Sequence, residues 1–416
     1  MAPRWHDRFT MPYRVGLAGF DRRVLVVVSG SFLVVAARMS LVTFLAIYFV
    51  RVIGLPLAVV GVGYLVENVA RGVFAPVFGA LSDRLGRRPL LLFGLGGLTL
   101  VLPLFLFVHS PVQLFVWSFA LGTFGAIQQP ASSALLMDLV PPHARQRALA
   151  LNYTAISLGY TLGVAPAGFL AQRSFVWLAA ASTTLFLAVF LLYLLGMRGP
   201  LPREVGHAPS VARNLTLAPR DGAFLAFAAA AIVFPVALGL TTTTSTLFSA
   251  DEGLSEGAIG LILSLNGVLL GLFALPLQAR FERYGPFALL GLSALLVALS
   301  FVILGFVPGI ALALTLHVIA FTLGEFAFGP TVPVAVAALA PPGARGAYQG
   351  AWSLVFALGY GSALFLSGLA QPALGWRATW AMAAGLSVAC ALALFALRSW
   401  FRRVADTRAV LPATGS

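Results

Sequence analysis

Residues 79–90 read GALSDRLGRRPL and lie between two long apolar stretches. This loop motif combines glycines, one acid and three arginines: Gly79, Asp83, Arg84, Gly86, Arg87 and Arg88. The two glycines predict a tight connection between helices, because glycine adopts turn conformations without steric cost. Charged residues between apolar stretches are typical of a loop at a membrane surface. The motif therefore predicts a helix-loop-helix connection in a multi-pass membrane protein.

The composition also indicates an integral membrane protein. Of the 416 residues, 60% are hydrophobic and 9% charged, whereas soluble domains carry about 25% charged residues. The net charge is +13, and all 26 basic residues are arginines, since lysine is absent. These arginines fall between apolar runs rather than along one face, so nucleic acid is not an expected partner.

Several kinds of chemistry are excluded by the residues present. The single cysteine, Cys390, rules out an intramolecular disulfide and a cysteine metal cluster. No nucleotide-binding loop or Ser-His-Asp set is recognisable, and the five histidines are scattered. We expect no enzymatic activity, no cofactor and no bound metal.

Twelve apolar runs are long enough to cross roughly 30 Å of hydrocarbon. They lie near residues 24–50, 57–81, 89–108, 112–140, 148–172, 174–197, 222–249, 257–279, 286–307, 310–339, 347–370 and 375–397. The predicted fold class is an all-α integral membrane protein with two pseudo-symmetric six-helix bundles. The predicted parts are an N-terminal arm (1–23), a first bundle (24–197), a linker (198–221), a second bundle (222–397) and a tail (398–416).

Arginine placement predicts the orientation of the chain. When the loops are counted alternately, 21 of the 26 arginines fall on the side of the N-terminus. Cytoplasmic loops carry such an excess of positive charge. Both termini are therefore predicted to be cytoplasmic. The expected location is the plasma (cytoplasmic) membrane as a multi-pass protein, and the expected oligomeric state is a monomer.

An internal repeat supports two equivalent halves. LVPPHAR at residues 139–145 recurs as LAPPGAR at 339–345, and Leu-Gly-Tyr at 158–160 recurs at 358–360, always with an offset of 200. A fixed offset is the mark of duplication. The loop motif recurs only in degraded form at residues 282–285, which predicts a gate on one half alone.

The series G-x-L-[AS]-D-R-x-G-R-R resembles the loop between the second and third helices of the major facilitator superfamily. That resemblance implies a secondary transporter whose two halves rock about a central cavity. In the superfamily, an acid at the end of the fourth helix pairs with the loop arginines and locks the outward-open state. On this analogy Asp138 and Arg145 join the loop motif in a cytoplasmic gate; the alternative is a solvated acid at a helix end.

Glu325 is the leading candidate for proton coupling. It stands in TLGEFAFGP, near the middle of its predicted span, where a carboxyl needs a functional reason or a structural partner. Desolvation favours the neutral form of a carboxyl and prepares it to exchange protons. The segment resembles the tenth helix of LmrP-type multidrug/proton antiporters. The alternative is a protonated structural glutamate bonded to a neighbouring helix.

Three further charged residues lie near mid-membrane: Arg38, Glu67 and Arg71. Glu67 and Arg71 are spaced i, i+4 and share one helix face. They form either a fixed neutral pair or a switch in which Glu67 exchanges between Arg71 and Arg38. Proton-driven drug antiporters usually carry an arginine in the outer half of the fourth helix, where this chain has Ser118; Arg38 is the candidate substitute.

The fifth span, LGYTLGVAPAGFL, resembles the antiporter motif of exporters through Gly159, Gly163, Pro166 and Gly168, although small residues also serve helix packing. The polar candidates for the substrate cavity are Gln128, Gln129, Asn266 and Thr243. The threonine can equally bond back to its own helix.

The leading hypothesis is a secondary active transporter that exports hydrophobic or cationic small molecules in exchange for protons. Its expected partners are the lipid bilayer, a small-molecule substrate and protons. One alternative is a proton-linked importer or facilitator of a small nutrient or metabolite. Another is a membrane sensor or scaffold that no longer transports.

Overall fold

The computed structural model describes residues 20–141, 144–197, 218–281, 285–341 and 344–410. The predicted arm before residue 20, most of the linker, the degraded loop copy at 282–284 and the end of the tail lie outside them. The described residues are almost entirely helical, as the apolar runs predict.

Six helices form the first half. Their bounds are α1 Arg22–Val52, α2 Leu57–Leu85, α3 Arg87–Phe107, α4 Pro111–Leu139, α5 Arg145–Arg173 and α6 Phe175–Gly196. The second half comprises α7 Gly222–Asp251, α8 Glu256–Phe281, α9 Pro286–Phe306, α10 Ile310–Leu339, α11 (345–374) and α12 (376–410). The last two are continuous except at Gly375, where φ of 78° breaks the helical path.

Ten of the helices, with Arg345–Arg408 counted as one, are long and apolar enough to cross a membrane. Separating α11 from α12 and adding α4 gives twelve. The membrane-spanning character is thus established for most of the chain, and the count of twelve spans stays a prediction.

The two halves meet through repeat-related helix pairs. α2 packs against α11, and α5 packs against α8. In an α-helical membrane protein, glycine allows such close backbone approach. A side chain at Gly168 would strike the backbone of Glu256, and one at Gly368 would strike the backbone of Ala58.

Arg22, Arg84, Arg145, Arg345 and Arg408 lie at one end of the bundle, called here the arginine-rich side. Arg51, Asp251 and Glu256 lie at the other end, called the opposite side. Contacts between α2 and α11 extend from Ala58 on the opposite side to Gly72. On the arginine-rich side, no described atom outside the helix's own backbone comes within 4 Å of a side chain added at Gly79, Gly346 or Gly350. The halves therefore close on the opposite side and diverge towards the arginine-rich side.

Candidate functional site

Glu325 is the sixteenth of thirty residues in α10, near mid-bundle as predicted. Its Oε2 accepts a hydrogen bond of 2.7 Å from Asn266 Nδ2 of α8. The same amide nitrogen lies 2.9 Å from Thr322 Oγ1, one turn earlier on α10. Among the residues that the structure describes, no basic side chain lies within ion-pair distance of Glu325. The carboxyl is therefore held by an amide, and Glu325 as a residue is only partly buried.

Two tyrosines of α5 complete the surroundings of this carboxyl. Tyr153 and Tyr160 lie close enough to Glu325 for electrostatic interaction. They belong to the first half, whereas Glu325 belongs to the second. The surroundings of Glu325 therefore include residues of both halves.

Glu67, Arg38 and Arg71 form a connected cluster in the first half. Glu67 Oε1 accepts from Arg71 Nη2 at 2.7 Å and from Arg38 Nη2 at 3.2 Å. The carboxylate contacts both arginines at once, so the structure contains neither separate arrangement of the predicted switch. Arg71 Nη1 also donates to the carbonyl of Gly125 in α4, at 3.4 Å.

The repeat-related tyrosine, Tyr360 of α11, lies beside this cluster. It lies near Arg38, Glu67 and Arg71, and its hydroxyl is 2.9 Å from Thr242 Oγ1 of α7. Sequence reasoning matched Tyr160 with Tyr360 as copies but assigned neither to a site. Because the copies stand at equivalent positions, each tyrosine reaches the charged site of the opposite half.

A cavity of about 180 Å³ lies inside the first half. Its polar lining includes the predicted candidates Gln128 and Gln129, together with Arg38 and Arg71. Asn266 does not line it and instead binds Glu325. Thr243 is buried and donates to the carbonyl of Gly239 at 2.7 Å, which is the back-bonded alternative.

The loop motif forms a network within the first half. Arg87 Nε donates to Asp138 Oδ2 at 3.0 Å, and Arg87 Nη1 donates to Ser82 Oγ at 2.9 Å. Arg88 donates to the carbonyl of Leu194 in α6 at 2.9 Å. These bonds join α2, α3, α4 and α6, so they fix the geometry of one half rather than tie the two halves together.

Only one glycine of the loop motif makes the turn. Gly86 has φ of 98° and separates α2 from α3. The turn predicted at Gly79 is wrong, because Gly79 lies inside α2, which continues to Leu85. The side chain of Asp83 lies outside the described part of the chain. Arg84 stands in the last turn of α2, and Arg145 begins α5.

The glycines of α5 have distinct contacts. Gly159 and Gly163 face the backbone of α1 at Phe32 and Ala36, within the first half. Gly168 faces the backbone of α8 at Glu256, in the second half. Pro166 lies inside the helix between them. The structure thus supports a packing role, and the function of this segment as an antiporter motif stays a prediction.

On the opposite side an ion pair connects the halves. Arg51 at the end of α1 lies 2.9 Å from Asp251 at the end of α7, measured from Nη2 to Oδ1. Trp376 Nε1 donates to the other oxygen of Asp251 at 3.2 Å. Sequence reasoning missed this pair, although the repeat offset of 200 also separates its two residues.

The chain matches the model of a known family over residues 27–255 and again over residues 222–415, described as the Major Facilitator Superfamily. It is 28% identical to the uncharacterized MFS-type transporter YqjV of Bacillus subtilis over 334 residues, which cover 76% of this chain and 78% of YqjV. It is 26% identical to the multidrug resistance protein MdtH of Salmonella typhimurium over 353 residues, covering 80% and 84% of the two chains.

The fold agrees with that of a solved transporter. A crystal structure of the peptide transporter POT in complex with sulfate superposes with a TM-score of 0.77, covering 93% of this chain and 96% of that one. The two sequences are 17% identical, so this likeness concerns the fold.

Proposed function

Since the chain belongs to the major facilitator superfamily, we propose that it is a secondary active transporter that exports hydrophobic or cationic small molecules in exchange for protons. The arrangement of Glu325 carries this proposal. A carboxyl at mid-bundle, held by the amide of Asn266 on a residue that is only partly buried, can bind either a proton or a cation. The similarity to MdtH, a multidrug resistance protein, supports the substrate class.

In the proposed cycle the arginine-rich side faces the cytoplasm of a plasma membrane, in accord with the positive-inside rule. The halves rock about the central space and expose Glu325 to each aqueous side in turn. On the cytoplasmic side, substrate displaces the proton from Glu325. On the outer side, protonation of Glu325 releases the substrate and restores the empty carrier. The Glu67 cluster is an auxiliary switch, and Arg87 with Asp138 braces the cytoplasmic ends of the first half during this movement.

The energetics suit this exchange. One proton moving down 100 mV supplies about 2.3 kcal/mol, which sustains roughly a fiftyfold gradient of a neutral solute at one-to-one exchange. The resemblance of the tenth helix to LmrP-type antiporters agrees with the proposed coupling. The expected transporter functions as a monomer.

The decisive experiment is transport of tetraphenylphosphonium in proteoliposomes with an imposed pH gradient. The wild type is compared with Glu325→Gln, which keeps the hydrogen-bonding shape but cannot ionise. Glu252→Gln is the matched control, because Glu252 is an exposed acid on the opposite side. We expect gradient-driven transport by the wild type and the control, and its loss in Glu325→Gln.

Two results would contradict the proposal. Equal pH-driven transport by the wild type and Glu325→Gln would remove Glu325 from the coupling reaction. Absence of transport for a panel of lipophilic cations would favour the importer or facilitator of a small metabolite instead.

A further inference from the structure

The cavity in the first half is lined by residues from all six of its helices. Its charged lining consists of Arg38 and Arg71, and no acid is among the described residues that line it. Glutamine, serine and asparagine side chains extend the polar region: Gln128, Gln129, Ser132, Ser133 and Asn152. One wall of the cavity therefore presents hydrogen-bond donors and positive charge.

The cluster behind this wall carries a net charge of +1. Arg38 and Arg71 share the single carboxylate of Glu67, and both bind its Oε1. The Glu67 side chain is 5% exposed, whereas those of Arg38 and Arg71 are 26% and 23% exposed. The carboxylate thus lies beneath the two guanidinium groups, and the excess positive charge faces the cavity.

The two arginines also retain unused donors. The Nε atoms of Arg38 and Arg71 are buried, and neither has a hydrogen-bond partner among the described residues. A buried donor without a partner is unfavourable, and an uncompensated buried charge more so. An oxyanion placed against the exposed part of the two guanidinium groups compensates this excess charge, because guanidinium and carboxylate match in geometry and charge.

The rest of the cavity is apolar. Its walls include Leu98, Leu102, Leu121, Ile156 and Phe186. A volume of about 180 Å³ is comparable to the engineered cavity of roughly 150 Å³ that accommodates benzene. The ligand that fits this lining has one negative charge at one end and an apolar body of about the size of one ring.

We propose that this cavity is a binding site for a small, singly charged organic anion, whose carboxylate or equivalent oxyanion lies between Arg38 and Arg71. This site lies in the half that does not contain Glu325, and it goes beyond the exchange of protons for cations proposed above. Tyr360 from the other half lies beside the arginines. The site therefore lies near the interface between the halves.

The test is equilibrium binding of radiolabelled benzoate to the purified full chain in nanodiscs at pH 7, without any gradient. Benzamide, which has the same shape without the charge, and chloride, which has the charge without the ring, are the competitors. We expect saturable binding of benzoate, and we expect benzamide and chloride to displace it only poorly. Arg38→Gln and Arg71→Gln should each weaken it by roughly ten- to hundredfold, as for loss of a charged hydrogen bond. Arg377→Gln, at an exposed arginine on the opposite side, is the matched control and should leave it unchanged.

Glu67→Gln gives a result that a purely structural role of the cluster does not predict. Removing the carboxylate leaves both guanidinium groups to the ligand, so benzoate should bind about tenfold more tightly. Benzoate should also raise the unfolding temperature of Glu67→Gln more than that of the wild type. This second readout distinguishes a destabilised variant from one that lacks the site.

The proposal is overturned if the wild type shows no saturable benzoate binding, or if both arginine variants bind benzoate as the wild type does. Displacement by benzamide at the same concentration as benzoate would show that charge is not recognised. Displacement by chloride at that concentration would show an inorganic anion site. Binding is measured without a pH gradient or tetraphenylphosphonium, so its failure leaves the exchange mechanism at Glu325 standing, and the reverse also holds.

Discussion

Arg51 and Asp251 stand 200 residues apart, the offset of the internal repeat, and their side chains form an ion pair with a nitrogen–oxygen distance of 2.9 Å. Equivalent residues of a two-fold repeat meet only near the axis that relates the halves. The pair therefore marks this axis on the opposite side. It also joins the halves on the side where they are closed, with Trp376 as a second partner of Asp251.

Charge reversal at this pair should shift the equilibrium between the two access states. Both side chains are partly exposed, so an energy of about 0.2–1 kcal/mol is expected, or up to a fivefold change in the ratio of states. Arg51→Asp should increase the fraction open on the opposite side, and Arg51→Asp with Asp251→Arg should restore it. Spin labels at Val52→Cys and Leu374→Cys, in a Cys390→Ala background, measure the separation. An unchanged distance distribution in Arg51→Asp would show that the pair does not hold this side closed.

The Glu67 cluster predicts non-additive stability. Glu67→Gln leaves two arginines without a counter-charge and should cost about 3–5 kcal/mol, as when one partner of a buried ion pair is removed. Adding Arg38→Gln and Arg71→Gln should recover much of this loss, because the remaining positive charge is removed as well. Unfolding midpoints in detergent compare the single and triple variants. If the loss of stability in the triple variant equals the sum of the losses in the single variants, the three residues do not form an electrostatic cluster.

Asp221 should make the stability of the arginine-rich side depend on pH. Its carboxylate accepts from Tyr348 at 2.5 Å and pairs with Arg408 at 2.7 Å, and Arg408 also donates to the carbonyl of Leu339. Burial raises the pKa of Asp221, but the hydrogen bonds from Arg408 and Tyr348 outweigh it and hold the pKa below its ordinary 3.8.

A lowered pKa means that the stabilisation is complete above pH 3.8 and is lost as the pH falls through the folded-state value. Asp221→Asn should therefore lower the unfolding temperature at pH 7 and at pH 5 by similar amounts. The difference from the wild type should shrink below pH 3.8. A difference that stays constant down to pH 3 would rule out ionisation of Asp221 as its source.

The glycines of α5 should respond differently to added methyl groups. Gly163→Ala forces a side chain against Ala36 of the same half and should cost about 1–3 kcal/mol by overpacking, with a lower unfolding temperature. Gly168→Ala forces one against Glu256 of the other half and should instead favour separation on the opposite side, in the spin-label measurement above. Gly385→Ala is the control, since no described atom outside the helix's own backbone lies within 4 Å of its added side chain. Identical effects at Gly163 and Gly168 would refute this distinction.

Arg87 should not be replaceable by lysine. Its guanidinium reaches Asp138 and Ser82 with different nitrogens, and one ammonium group cannot reproduce that fork. We expect Arg87→Lys to lose most of the transport rate, approaching Arg87→Ala, whereas Ser82→Ala retains an intermediate rate. Initial rates of tetraphenylphosphonium transport provide the comparison. A wild-type rate in Arg87→Lys would show that charge alone suffices at this position.

The membrane fold and its halves were accessible from the sequence because they depend on local and periodic properties. Apolar runs must be long enough to cross the hydrocarbon, so their lengths predicted the helices closely, and the offset of 200 predicted the two halves. The contact between Asp138 and Arg87 was found by resemblance. Glu325 was found because an acid near mid-membrane is rare.

Side-chain partnerships across helices could not be read from the sequence. Nothing in the order of residues indicates that Glu67 bonds Arg38 and Arg71 together, that Asn266 binds Glu325, or that Thr243 bonds to its own helix. These choices depend on the rotation of each helix about its axis, which packing against neighbouring helices sets.

By itself, the sequence determined a membrane-spanning, duplicated chain with a loop motif intact in one copy. Both properties can be read from the order of residues, because charged residues are costly inside a membrane and the repeat has a fixed offset. The tertiary structure decided what those residues contact. It placed Arg51 on Asp251 across the two-fold axis, the excess charge of Arg38 and Arg71 in a cavity, and Glu325 beside an amide. Such contacts require two helices to approach at one depth and one rotation, a condition that only the packed bundle imposes.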